Sequence, residues 1–142
     1  MTTCTITLDD MICFDVYAAN LAIGRLYKPL LTQFGVTYPQ YLVLMSLWEK
    51  DGQTVGEIGA LLGLESSTLT PLIKRLATAG LVTRLRAVED ERRVHISLTD
   101  KGRDMANSRD QMAECLVGAA GLTLQEFGQL RELLRKLRSN LA

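Results

Sequence analysis

A mainly α-helical chain carrying one small β-hairpin is the fold class this sequence predicts, and three observations predict it. Apolar residues recur at the helical period of 3.6 over most of the chain. The period drops to 2 only between residues 81 and 98. Gly35, Gly52, Gly63 and Gly80 follow successive periodic segments, at the place where a helix ends on a left-handed residue. The 142 residues, 47% hydrophobic and 23% charged, suit one soluble globular domain of ordinary size.

Residues 8–34 read as a long first helix, which Pro29 should kink or end because it lacks an N–H and clashes with the preceding turn. Residues 38–49 are apolar nearly all round (Tyr41, Leu42, Leu44, Met45, Leu47, Trp48), so that helix belongs at the centre. Thr54 with Glu57, and Thr123 with Glu126, have the spacing at which each side chain satisfies the other residue's free backbone N–H. Both pairs mark helix starts. Val55, Ile58 and Leu62 share one face, as do Leu69, Leu72, Ile73 and Leu76, which gives helices over 54–62 and 66–79 separated by a short turn. Beyond Gly80, Val94, Ile96 and Leu98 alternate with His95 and Ser97 opposite a first strand at 81–86, a hairpin whose polar tip should project. Residues 100–118, after a cap at Thr99, and 123–141 return to the helical period. Their apolar positions, Leu122 to Leu141, exceed what the small central unit can cover, so a second chain is expected to cover them.

Net charge is zero, but residues 1–71 hold three basic and seven acidic side chains and residues 72–142 hold thirteen and nine. The excess gathers locally: residues 72–93 carry Lys74, Arg75, Arg84, Arg86, Arg92 and Arg93 against Glu89, Asp90 and Glu91. Charge alone leaves a solvated face as good a reading as a binding patch. Cys4, Cys13 and Cys115 have no CxxC spacing, and a single His accompanies them, so neither a disulfide framework, a metal site nor another cofactor is expected. No membrane span or secretory leader is apparent, and a cytoplasmic location is the expectation.

Helix, short turn, helix and a basic-tipped hairpin, in that order, make a winged helix-turn-helix, whose second helix enters the DNA major groove. That helix carries Ser66, Ser67, Thr68, Thr70 and Lys74 on its outward face, short groups suited to base edges and phosphates. Pro71 is anomalous there, since it removes a hydrogen bond to the Ser67 carbonyl. Arg92 at the hairpin tip suits a narrow minor groove with Asp90 holding it extended, and Arg75, Arg84, Arg86 and Arg93 suit phosphates or structural ion pairs. A winged-helix protein–protein module with an incidental basic patch is the competing reading, which strong salt dependence of duplex binding would exclude.

The segments TYPQYLVLMSLWE, VGEIGALLGLESSTLTPLIKRLATAGLVTR and DERRVHISLTDKG resemble the MarR family of dimeric repressors over nearly the whole chain. More narrowly, ICFDVYAANLAIGRLY followed by Val36-Thr37-Tyr38-Pro39-Gln40-Tyr41 is similar to the organic hydroperoxide resistance regulators within that family. The resemblance implies a homodimer held by residues 1–35 and 100–142, with residues 36–99 binding double-stranded operator DNA. Two-fold docking implies a pseudo-palindromic operator.

Read from the residues alone, Cys13 between Ile12 and Phe14 suits inert packing; an early helical position favours its thiolate, while Asp9, Asp10 and Asp15 oppose it. The resemblance implies a reactive cysteine at Cys13, attended by tyrosines at Tyr17, Tyr27 and Tyr38, with an organic hydroperoxide as inducer. It also implies either Cys115 as the resolving thiol, offset by about one helical turn from the family's position near Gly118, or a small thiol that traps the oxidised Cys13. Two alternatives remain at this point. One is a repressor released by a small phenolic or apolar ligand with Cys13 silent. The other is a thiol peroxidase, disfavoured because no basic residue, CxxC pair or second activating group accompanies Cys13.

Overall fold

A computed structural model of the chain describes residues 5–86 and 93–142; Cys4 and the hairpin tip, with Asp90 and Arg92, lie outside the described residues. A 3-10 turn over Leu8–Asp10 precedes α1, Ile12–Phe34. The expected first helix is thus broken at Met11, because the Asp10 carboxylate accepts the Thr7 backbone N–H at 2.9 Å and its hydroxyl at 2.8 Å, closing a separate turn. The same two bonds, backbone first, hold the Asp10 carboxyl below its ordinary pKa. Pro29 lies inside α1 and does not end it. It lies on an exposed side, and the carbonyl it leaves unpaired belongs to the equally exposed Arg25, where water can serve.

The second helix, α2 (Tyr38–Glu49), starts at a reciprocal cap: the Thr37 N–H donates to Gln40 Oε1 at 2.9 Å and the Gln40 N–H to Thr37 Oγ1. It is central, as its all-round apolarity requires, burying Tyr41, Val43, Leu44 and Leu47. There follow β1 (Gln53–Thr54), α3 (Val55–Leu62), α4 (Ser66–Thr78), β2 (Val82–Arg86) and β3 (Val94–Leu98). The chain closes with α5 (Asp100–Asp104), α6 (Arg109–Ala120) and α7 (Leu124–Leu141). One helix is expected over 100–118; instead a 3-10 turn, Met105–Ser108, separates α5 from α6. Its cause is Ser108, whose hydroxyl reaches the Met105 carbonyl at 2.6 Å and the buried Tyr41 hydroxyl at 2.9 Å.

The hairpin pairs Val82 with Leu98 and Arg86 with Val94. A third strand joins it, giving the antiparallel order β1-β3-β2, with Gln53 opposite Ile96. Two residues are too short for any period to reveal; what fixes β1 is the buried Gln53 amide, which donates to the Ser46 carbonyl at 2.8 Å and that of Lys50 at 2.7 Å. Leu44, Ile58, Leu69, Ile73, Leu76, Leu81 and Ile96 form the centre of the core, each fully enclosed and each stabilising by about 1.5–3 kcal/mol.

All four glycines expected to be left-handed are so, and Gly80, at φ +77°, makes the α4–β2 corner. The start of α5 is clamped on that corner. Thr99 Oγ1 donates to the Gly80 carbonyl at 2.6 Å, and a Cβ on Gly102 would collide with the Leu81 carbonyl oxygen. From the other side Trp48 Nε1 donates to the Gly102 carbonyl at 2.8 Å, so α2 and the hairpin base grip one point. No helix among the described residues is long and apolar enough to cross a membrane.

Candidate functional site

On α4, Leu69, Ile73 and Leu76 face the core, so geometry puts the other side outward. Ser66, Ser67, Thr68, Lys74 and Arg75 are exposed and Thr70 is half-buried. The helix runs unbroken through Pro71, which resolves the anomaly: the Ser67 carbonyl that loses its partner belongs to an exposed residue. Arg84 and Arg86 on β2, and Arg93 just before β3, are exposed as well. Short hydroxyls flanked by five cations form a surface able to meet phosphates and base edges.

The hairpin is latched to the rest by residues that periodicity does not single out. Asp51 Oδ1 accepts the Gly52 N–H at 2.9 Å and the Leu98 N–H at 2.8 Å, and Arg103 approaches its other oxygen at 3.8 Å. His95 Nδ1 lies 3.1 Å from the Gly52 carbonyl. The Asp-Gly pair at Asp51 is the available signal, since such pairs mark turns whose carboxylate can bind nearby N–H groups.

The thiol and phenol candidates fall into two groups. Cys13 is the second residue of α1 and is exposed, as is Tyr17 one turn later. Tyr27 and Tyr38 lie at the other end of α1, stacked with ring centroids 5.7 Å apart and planes 29° from parallel. Fourteen helical residues separate Cys13 from Tyr27, about 21 Å at 1.5 Å each, so one chain cannot bring this thiol to these phenols. Burial pushes both phenols above their ordinary pKa, and Tyr38, Cys115 and Tyr41 add to the shift at Tyr27. Both therefore stay protonated and available as donors at neutral pH. Cys115, on α6, is half-buried.

Beside the stacked pair opens a cavity of about 170 Å³ lined also by Tyr41, Met45, Met112 and Arg109. Arg109 is not singled out by the sequence, where nothing distinguishes it from other helical arginines. Among the described residues no cluster of His, Cys, Asp and Glu can hold a metal ion.

A larger apolar groove, about 1010 Å³, runs between Val16, Ile23 and Leu26 of α1 and Leu130, Leu134 and Leu137 of α7. No residue of α7 is buried. A helix bearing an apolar row that its own chain leaves in water lacks the contact that ordinarily stabilises such a helix.

Comparisons with known proteins agree with this architecture. Residues 25–109 match the family model described as transcriptional regulator SarA/Rot. The transcriptional regulator TtmR of Methylorubrum extorquens is 49% identical over 95% of this chain and 69% of its own length. The organic hydroperoxide resistance transcriptional regulator of Bacillus subtilis is 40% identical over 94% of this chain and 91% of its own. Among solved structures, reduced AbfR bound to DNA superposes with a TM-score of 0.80 at 36% identity, covering 94% of this chain and 92% of that one. The disulfide form of AbfR, a protein of Staphylococcus epidermidis, gives 0.64 over 94% and 89%.

Proposed function

This chain belongs to the SarA/Rot transcriptional regulators and is a DNA-binding winged-helix regulator of MarR type; from that premise we propose that it is a homodimeric repressor releasing its operator when an organic hydroperoxide oxidises Cys13. Residues 36–99 bind double-stranded, pseudo-palindromic DNA, and residues 1–35 and 100–142 join the two copies. The exposed face of α4 supports the first role. The open groove between α1 and α7 supports the second, because a partner's helices would fill it.

The observation that carries the redox reading is the split between Cys13 and the Tyr27–Tyr38 pair, in a chain 40% identical to a hydroperoxide-resistance regulator. A thiol exposed at one end of α1 and a phenol-lined cavity at the other make a site only across two copies. There the neutral phenols donate to the thiolate of the partner subunit's Cys13. The thiolate sulfur attacks the terminal oxygen of the hydroperoxide; the S–O bond forms as the O–O bond breaks. Sulfur loses two electrons, giving a sulfenic acid, and the alkoxide takes a proton and leaves as the alcohol. Cys115, on the helix α6 that packs against α1, then condenses with that sulfenic acid, forming a disulfide and releasing water. A tether between the copies shifts the two DNA-binding parts, which must stay about 34–36 Å apart to dock on one face of the duplex.

A phenolic or apolar inducer is the second reading, favoured by the cavity itself. Its roughly 170 Å³ falls short of the ~300–1,000 Å³ of ordinary small-molecule pockets and suits a docked side chain better. The deciding experiment titrates wild type and Cys13→Ser on a duplex carrying the promoter beside the protein's own gene, before and after stoichiometric cumene hydroperoxide. Wild type should dissociate and the variant hold. Equal binding throughout would remove the redox switch while leaving the DNA-binding regulator intact.

A further inference from the structure

We propose that Arg109 is the charge partner of the Cys13 thiolate that a second copy brings to the Tyr27–Tyr38 cavity, an assignment that rests on the dimeric redox reading above. Arg109 is the single formally charged residue among those lining that cavity. It is held in place at two points. Its Nε donates to the Ala106 carbonyl at 3.1 Å, and its guanidinium carbon lies 5.8 Å from the centre of the Trp48 ring. Those anchors use one N–H and one face, leaving the terminal N–H groups for an acceptor.

Among the described residues no carboxylate pairs with it. The ion pairs among the described residues all belong to Arg103. The titratable groups near the cavity are Tyr27 from α1, Tyr38 and Tyr41 from α2, and Cys115 from α6. The stacked phenols stay neutral there and provide no counter-charge. Asp110, the next residue, projects about 100° further round the helix. An exposed, anchored cation at a phenol-lined cavity, without an ion-pair partner among the described residues, is placed to receive an anion arriving from outside the chain.

The thiol side has the opposite deficit. Cys13 shares its end of the chain with Asp9, Asp10 and Asp15, and no Lys or Arg precedes Arg25. Its own stretch of chain thus offers a thiolate carboxylates and no cation. Docking the exposed start of one chain's α1 into the partner's cavity meets both needs at once.

Alkylation of Cys13 by iodoacetamide reads the thiolate directly, in the full-length reduced dimer with Cys4→Ser and Cys115→Ser so that a single thiol reacts. Arg109→Gln should slow alkylation about 5- to 10-fold at about pH 6.5 and leave it unchanged at about pH 9.5, where the thiol is ionised regardless. Arg109→Lys should retain at least about half of the rate at the lower pH, since it keeps the charge. Sedimentation of each variant as a dimer shows that it is folded. An unchanged rate at the lower pH in Arg109→Gln overturns the assignment, as does an equal loss at both pH values, which would mean altered access rather than charge. Tyr27→Phe with Tyr38→Phe separates the two layers. If that pair slows alkylation and Arg109→Gln does not, cavity docking stands and Arg109 falls; if neither does, both fall.

Discussion

Leu44, Leu69 and Leu76 in the DNA-binding part are enclosed on every side, whereas Leu124, Leu133 and Leu141 of α7 stand 79%, 66% and 77% exposed. The residue type is the same and the helical period is the same; what differs is whether the chain can fold back over the apolar face. Between residues 36 and 99, three helices and a three-stranded sheet close around one another. In the arms, α1 and α7 leave a groove open along their length. A core complete within one chain is stable whatever the protein concentration, while an apolar face completed by a second copy ties the arms to assembly. On the proposed reading, the candidate thiol sits on the incomplete region, so that a chemical change at one residue would alter how two DNA-binding parts are spaced.

Replacing a leucine in each region would sharpen that contrast most. Leu44→Ala should cost about 2–5 kcal/mol in chemical denaturation, independent of protein concentration. A loss below about 1 kcal/mol would erase the distinction. Leu133→Asp with Leu137→Asp should weaken the dimer by roughly 2 kcal/mol or more, read by sedimentation equilibrium, while the near-ultraviolet signal of Trp48 stays native. Should both readouts collapse together, the arms and the DNA-binding part form one cooperative unit.

Gly102→Ala probes the joint between the regions, because the added Cβ meets the Leu81 carbonyl at the hairpin base. A fall of about 1–3 kcal/mol in thermal unfolding is expected, with weaker operator binding as the hairpin is displaced. The smallest effect concerns a single exposed charge. Arg75→Ala should lower the salt slope of duplex binding by about one and weaken all sequences alike; a sequence-selective loss would move Arg75 from phosphate contact to base reading.

Much of the DNA-binding part is legible in its residues alone. The cap at Thr54, the left-handed Gly63 and Gly80, and the switch of period at Val94 and Ile96 all depend on residues a few positions apart. The recognition face follows by subtraction, since burying Leu69, Ile73 and Leu76 leaves Ser66, Ser67 and Lys74 outward. Whether Pro29 ends its helix is not legible, because that depends on which side of the helix faces water, and a proline's penalty shrinks where water can replace the lost bond. Residues 100–118 mislead because their apolar period carries no trace of Ser108 bonding to Tyr41, a residue 67 positions away.

Local patterns in the chain suffice for the order of elements, most of their ends, the outward face of α4 and the residue types available for thiol chemistry. Those properties arise from contacts within about one helical turn or two strand residues, which neighbouring residues encode directly. Three features come from folding in three dimensions instead: β1 completes the sheet, Trp48 holds both Gly102 and Arg109, and Tyr41 bonds Ser108. Each of these joins parts of the chain far apart in sequence, and such contacts are fixed by how rigid helices pack rather than by any local pattern.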